Sequence, residues 1–163
     1  MFLYLIRHAD AVPMGQDNVS TDEARPLTET GKAQAQALAK TLQGHGVHLD
    51  AVLHSPLLRS QQTALGLVEH WNTPAPSLLE CGLLAPGGRE KKLARELRGL
   101  TGESLALVGH MPDLATLAGW LIGSKKAQID LAKSGVACIE LPDRVKKGEG
   151  VLKWLVTDAW MCK

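Results

Sequence analysis

Short apolar runs alternate along this chain with longer segments of mixed polarity, and the runs carry almost no internal polar residue. Leu3-Tyr4-Leu5-Ile6, Ala51-Val52-Leu53 and Leu105-Ala106-Leu107-Val108 read as strands covered on both faces, the pattern of a parallel sheet rather than of a half-exposed one. Between them the spacing predicts helices. An Ala/Gln/Lys/Leu segment from about Glu29 to Gln43 is closed by glycines at 44 and 46, and a second helix runs from near Leu57 to Trp71. Ser77-Leu78-Leu79-Glu80 is a further short strand, Pro86-Gly87-Gly88 breaks the chain, and a charged helix follows from about Arg89 to Leu100. The strand ending at Val108 leads into a helix over Asp113 to Ile122. Val136–Leu141 and Val151–Val156 read as a final hairpin-like pair around a Lys/Gly-rich turn. Strands and helices in alternation imply an α/β fold, a three-layer α/β/α sandwich with a mostly parallel central sheet.

Composition narrows the function classes. With 163 residues, 45% hydrophobic and 21% charged, the chain fits one domain over residues 1–163 with a single hydrophobic core. A net charge of +1 gives no support to a nucleic-acid or membrane-surface partner, so any positive field is local. The chain has no run of about twenty apolar residues that could span a bilayer and no signal-peptide pattern at the N-terminus, so cytoplasmic residence is expected. Cys81, Cys138 and Cys162 are scattered and lack a metal-ligand spacing, which suits reduced thiols. His45 and His48 have no cysteine or carboxylate partners at ligand spacing, so neither a metal nor another cofactor is expected.

The chemistry gathers where strands end. Open α/β sheets bind ligands beyond the carboxyl ends of their strands, and Arg7-His8 falls at the end of the first. Arginine grips an anionic oxygen through its planar fork, and a neutral imidazole is a nucleophile toward phosphorus. His54-Ser55-Pro56 closes the second strand and Arg59 then stands in the first turn of a helix, where backbone N–H groups and the helix dipole also favour an anion. Gly109-His110 closes a third strand. His54 sits where it can line the pocket rim or pack against a helix, and His70 reads as a surface or packing residue.

Arg7-His8-Ala9, Ser55-Pro56 with Arg59 and Gln62-Thr63-Ala64, and Gly109-His110 together resemble the histidine phosphatase superfamily, the phosphoglycerate mutase-like fold. The short length and Arg25-Pro26-Leu27-Thr28-Glu29-Thr30-Gly31 before a helix resemble its small phosphohistidine phosphatase branch, over nearly the whole chain. The resemblance implies a phosphatase in which His8 attacks phosphorus and Arg7, Arg59 and His110 bind the phosphoryl oxygens, with no metal. It further implies a phosphohistidine-containing protein as partner, such as a histidine phosphotransfer domain of a signalling relay, and phosphate or a similar anion in the pocket. Glu80 is the candidate general acid by position, although its surroundings do not match the family pattern; Asp10 and Asp17 are alternatives. An imidazole bound to phosphorus leaves without a strong acid, so a weak acid candidate favours a phosphoramidate over a phosphoester. A small-molecule phosphomonoesterase and a noncatalytic phosphate-sensing protein are the other readings. Trp71, Trp120, Trp154 and Trp160 are expected to pack the core or its edges.

Overall fold

The computed structural model describes residues 1–72, 74–124, 126–142 and 144–161. Its elements in chain order are β1 (Phe2–Arg7), α1 (Glu29–Gly44), β2 (Ala51–His54), α2 (Leu58–Glu69), β3 (Ser77–Glu80), α3 (Glu90–Leu97), β4 (Ser104–Gly109), α4 (Asp113–Leu121), β5 (Val136–Glu140) and β6 (Val151–Val156), with single 3-10 turns at Gly82–Leu84 and Asp158–Trp160. The strands form one sheet in the order β3-β2-β4-β1-β5-β6. Pairing is parallel from β3 through β1 and antiparallel for β5 and β6. The crossovers through α1, α2 and α3 account for the parallel half; α4 leads into β5, which runs antiparallel to β1, and the short connection from β5 to β6 adds the second antiparallel pair.

Successive strand residues face opposite sides, so the continuous apolar runs feed two cores, one on each face of the sheet, where a single core was expected from chain length. Leu3 and Leu5 pack with Leu105 and Leu107, under Leu93, Leu97, Leu114 and Leu117 of α3 and α4. Tyr4 and Ile6 pack with Val52 and Val108 on the other face, under Leu38, Leu42, Ala64 and Leu67 of α1 and α2. Helices therefore cover both faces, and the three-layer α/β/α arrangement expected from the apolar runs is present. Among the described residues, no helix is long and apolar enough to cross a membrane.

Two expectations need correction. Trp71, Trp120 and Trp154 pack against the cores, but Trp160 is 80% exposed, because it lies in the terminal 3-10 turn beyond the last strand. The second helix ends at Glu69 instead of continuing to Trp71. Cys81 and Cys138 are buried free thiols, and Cys162 lies outside the described residues.

The register sets the site. Arg7 on β1 stands opposite Gly109 on β4, and the His8 N–H donates to the Gly109 carbonyl at 3.0 Å. Ser55, just beyond β2, donates its N–H to Val108 O at 3.0 Å. Three adjacent strands thus end at one level, and the residues after them share one crevice.

The segment Arg25–Gly31 is fastened beside that crevice by its own chemistry. Thr28 caps α1, its hydroxyl accepting from Gly31 N at 3.0 Å and donating to Asp10 Oδ2 at 2.7 Å. Leu27 N donates to Gln62 Oε1 at 2.7 Å, and Val12 N to Pro26 O at 2.9 Å. A Cβ on Gly31 would lie 2.0 Å from the Asp10 carbonyl oxygen, so only glycine lets α1 approach the chain leaving β1 this closely.

Candidate active site

His8, Arg59 and His110 meet at the bottom of the crevice, each buried. The ring of His8 is oriented by its neighbour: Nδ1 lies 2.8 Å from the Ala9 carbonyl, which can only accept, so Nδ1 carries the hydrogen. The Ala9 peptide is itself held by Thr63, whose hydroxyl accepts from Ala9 N at 3.0 Å and donates to Arg59 O at 2.6 Å. This leaves the Nε2 lone pair of His8 facing inward, where the Arg59 Nε–H reaches it at 3.2 Å.

His110 adopts the opposite tautomer. Its Nδ1 faces Arg59 Nη2 at 3.4 Å, and a guanidinium nitrogen only donates. Nδ1 is therefore the bare nitrogen, and Nε2–H donates to Ser55 Oγ at 2.9 Å, with Ser60 Oγ at 3.3 Å. The His8 and His110 ring centroids are 5.2 Å apart and tilted by 54°, so one small group can touch both.

Electrostatics keep both rings neutral. Burial pushes the His8 pKa down to about 4; the Ala9 carbonyl opposes that shift, and Arg59, Arg7 and Arg25 add to it. His110 falls to about 3, again chiefly through burial, then through Arg59. Desolvation thus outweighs the arginine field as the reason the imidazoles stay uncharged.

Arg7 Nη1 donates to Leu131 O at 2.8 Å, and its Nε is buried with no partner among the described residues. A buried donor left unpaired is costly, so a ligand oxygen that accepted from it would be favoured. The far end of Arg59 is occupied by the loop before α1: Nη1 donates to Asp22 O at 2.7 Å and Nη2 to Asp22 Oδ2 at 2.9 Å. Asp22 Oδ1 accepts from Arg25 Nη1 at 2.9 Å, and Arg25 Nε is anchored on Val12 O at 2.7 Å. Arg25 and then Arg59 hold the Asp22 carboxyl below its ordinary range.

The structure thus brings Arg7, His8, Arg59 and His110 to one crevice, and among the described residues Glu80 makes no contact with them. Glu80 is exposed at the end of the edge strand β3, paired with His54. By strand spacing it stands about 10 Å across the sheet from β4 and about 14 Å from β1. Asp10 is bound by Lys133 Nζ at 2.6 Å and by Thr28; these contacts hold its carboxyl below the usual range, Lys133 first. Asp17 sits in the exposed loop. The buried His54 ring turns to Ser55 O at 2.9 Å. Sequence reading missed Arg25, Asp22, Ser60 and the orienting role of Thr63. Arg25 and Thr63 lay within motifs already singled out, whereas Asp22 stands in a polar loop with no local pattern to mark it.

The family profile described as Histidine phosphatase superfamily (branch 1) matches residues 3–84. An uncharacterised protein of Picosynechococcus sp. is 35% identical over 150 residues, covering 86% of this chain and 89% of the relative. Phosphohistidine phosphatase SixA of Escherichia coli is 27% identical over 162 residues, 94% of this chain and 92% of SixA. A solved structure of the protein histidine phosphatase SixA complexed with tungstate superposes with a TM-score of 0.84 at 27% identity, covering 99% of both chains. With a family profile that spans half of its length and a relative 35% identical over most of it, the chain belongs to the histidine phosphatase superfamily.

Proposed function

We propose that this chain is a phosphatase of protein phosphohistidine that works through a covalent phosphohistidine intermediate on His8. The observation that carries this reading is the His8 tautomer: Nδ1–H is committed to the Ala9 carbonyl, and the bare Nε2 lies among arginines. A nitrogen lone pair that stays unprotonated down to about pH 4 is available to phosphorus throughout the neutral range.

In the first step the His8 Nε2 lone pair forms a bond to phosphorus while the bond from phosphorus to the substrate nitrogen breaks, its electron pair staying on the departing imidazole. Arg59 shifts its Nε–H from the His8 lone pair to a phosphoryl oxygen, and Arg7 Nε–H, which has no partner among the described residues, takes another. Phosphoryl transfer asks the protein mainly for positioning and for neutralising the equatorial oxygens, and Arg7, Arg25 and Arg59 supply that charge without calling on a metal. His110 meets the anion through Nδ1, which must take up a proton to donate. The dianion itself favours that proton, so His110 protonation and ligand binding are linked. In the second step water attacks phosphorus, the Nε2–phosphorus bond breaks, and its electron pair returns to His8.

The leaving group decides between substrate classes. Among the described residues, the carboxylate that contacts this cluster is Asp22, which Arg25 and Arg59 keep ionised, whereas Glu80 makes no contact with it. A strong general acid is therefore missing where an alkoxide would need one. An imidazole protonated on its second nitrogen needs none. SixA, similar over nearly the whole chain, is named for this substrate. A histidine-containing phosphotransfer domain in the cytoplasm is the kind of partner that presents phosphohistidine on a protein surface.

The test is phosphate release from a protein phosphorylated on histidine, beside an alkyl phosphate, with no added metal and with His8→Ala in parallel. We expect His8-dependent release that strongly prefers phosphohistidine. Preference for the ester would overturn the substrate assignment, and release unaffected by His8→Ala would overturn the mechanism.

A further inference from the structure

Asp22 sits where an acidic residue is hardest to explain in a site built for anions. Its backbone oxygen and its carboxylate take both terminal nitrogens of Arg59, and its second carboxylate oxygen takes Arg25. The loop is held in that place independently of the carboxylate, since Leu58 N donates to Glu23 O at 3.0 Å at the start of α2. The exposures give the arrangement a direction. The Arg59 side chain is 5% exposed and that of Asp22 46%, so Asp22 stands on the solvent side of the arginine, with His8 and His110 beneath. A phosphoryl group reaching His8 enters from solvent, and in-line displacement leaves its departing group on that same outer side.

We propose that Asp22 is a specificity-determining residue of this site, disfavouring phosphoryl groups on a neutral leaving atom and favouring those carried on a protonated ring. This rests on the phosphohistidine reading and deepens it. An alkyl or aryl phosphate brings two negative charges and no positive one, and it must take Arg59 donors from Asp22 while standing next to an ionised carboxylate. N-phosphorylated imidazole protonated at its other nitrogen brings the same phosphoryl charge together with a ring N–H⁺ on the outer side, where Asp22 can accept from it. When the phosphorus–nitrogen bond breaks, the pair of electrons moves onto the ring, the existing N–H remains, and a neutral imidazole departs without any proton transfer. Asp22 then acts on the substrate ring through charge and a hydrogen bond, with no change in its own ionisation.

The test compares wild type with Asp22→Asn and Asp22→Glu. Asparagine keeps an oxygen for Arg59 and removes the charge; glutamate keeps the charge. Three quantities are read: calorimetric binding of orthophosphate, kcat/KM for p-nitrophenyl phosphate, and kcat/KM for a histidine-phosphorylated protein. For Asp22→Asn we expect orthophosphate to bind about threefold tighter, the aryl phosphate to gain about threefold, and phosphohistidine to lose about threefold, moving the substrate ratio by about tenfold, a size set by partly exposed charge pairs. Asp22→Glu is expected to stay on the wild-type side of that ratio. An unchanged ratio in Asp22→Asn, or orthophosphate binding that weakens, would overturn the proposal by showing that the carboxylate only props up Arg59. The two levels fail separately. Wild type inactive on phosphohistidine overturns the parent reading, whereas an active wild type with an unmoved ratio overturns the role of Asp22 alone.

Discussion

The ends of β1 and β4 look alike in sequence, each an apolar strand closed by a residue that pairs across the sheet and then a histidine, yet their environments prepare the two rings for different work. After β1, a backbone carbonyl fixes the hydrogen of His8 on Nδ1 and turns a bare Nε2 inward. After β4, Ser55 holds the hydrogen of His110 on Nε2 and leaves Nδ1 bare against Arg59. Both rings are buried and neutral, but the first offers a fixed lone pair, whereas the second can meet an anion only after gaining a proton. The difference comes from which hydrogen-bond partner each strand end presents, not from the histidine or the strand that carries it.

Substitution at each ring should therefore have unequal cost. His8→Ala removes the atom that bonds to phosphorus, and turnover should fall by about 10⁴-fold or more, the scale seen when a nucleophile is deleted. His110→Gln keeps an amide that can donate to an anion, so its loss should be about 10²-fold, in the range for one stabilising donor. Steady-state kcat on a histidine-phosphorylated protein checks both, and equal losses would erase the distinction drawn between the rings.

A smaller effect is expected in stability. Both histidines have folded pKa values, about 4 and about 3, below the ordinary 6.5. The unfolded chain takes up protons as pH falls through 6.5 while the folded chain does not, so the stability present above that pH is lost as pH falls toward the folded values. Each ring should contribute about 2 kcal/mol of that loss between pH 6.5 and 4.5. Urea unfolding at pH 7 and pH 4.5 checks this: the drop should be smaller in His110→Gln than in wild type, and an equal drop would contradict the neutral burial of His110.

What the sequence revealed follows the same division between local and distant partners. The sheet was legible because strands such as Leu3–Ile6 and Leu105–Val108 are apolar at every position, which only burial on both faces explains. The gathering of Arg7, His8, Arg59 and His110 was legible because parallel strands bring their carboxyl ends to one side. The tautomers were not, since they depend on Ala9 O, fixed through Thr63 from α2, and on Ser55 reaching across from β2. Glu80 has the right residue type at a strand end, but the strand is at the edge of the sheet, a position fixed by strand order alone. Asp22 gave no signal, because the contact that brings it to the site is with Arg59, 37 residues away in sequence.

If His8 carries the phosphoryl group on Nε2, the intermediate can be trapped. Wild-type protein would be mixed with a histidine-phosphorylated substrate labelled in phosphorus, quenched in alkali within milliseconds, and its peptides mapped. Label is expected on His8 bonded through Nε2, and none in His8→Ala. Label on His110, label at Nδ1 of His8, or full turnover with no labelled protein at any time would contradict that role for His8.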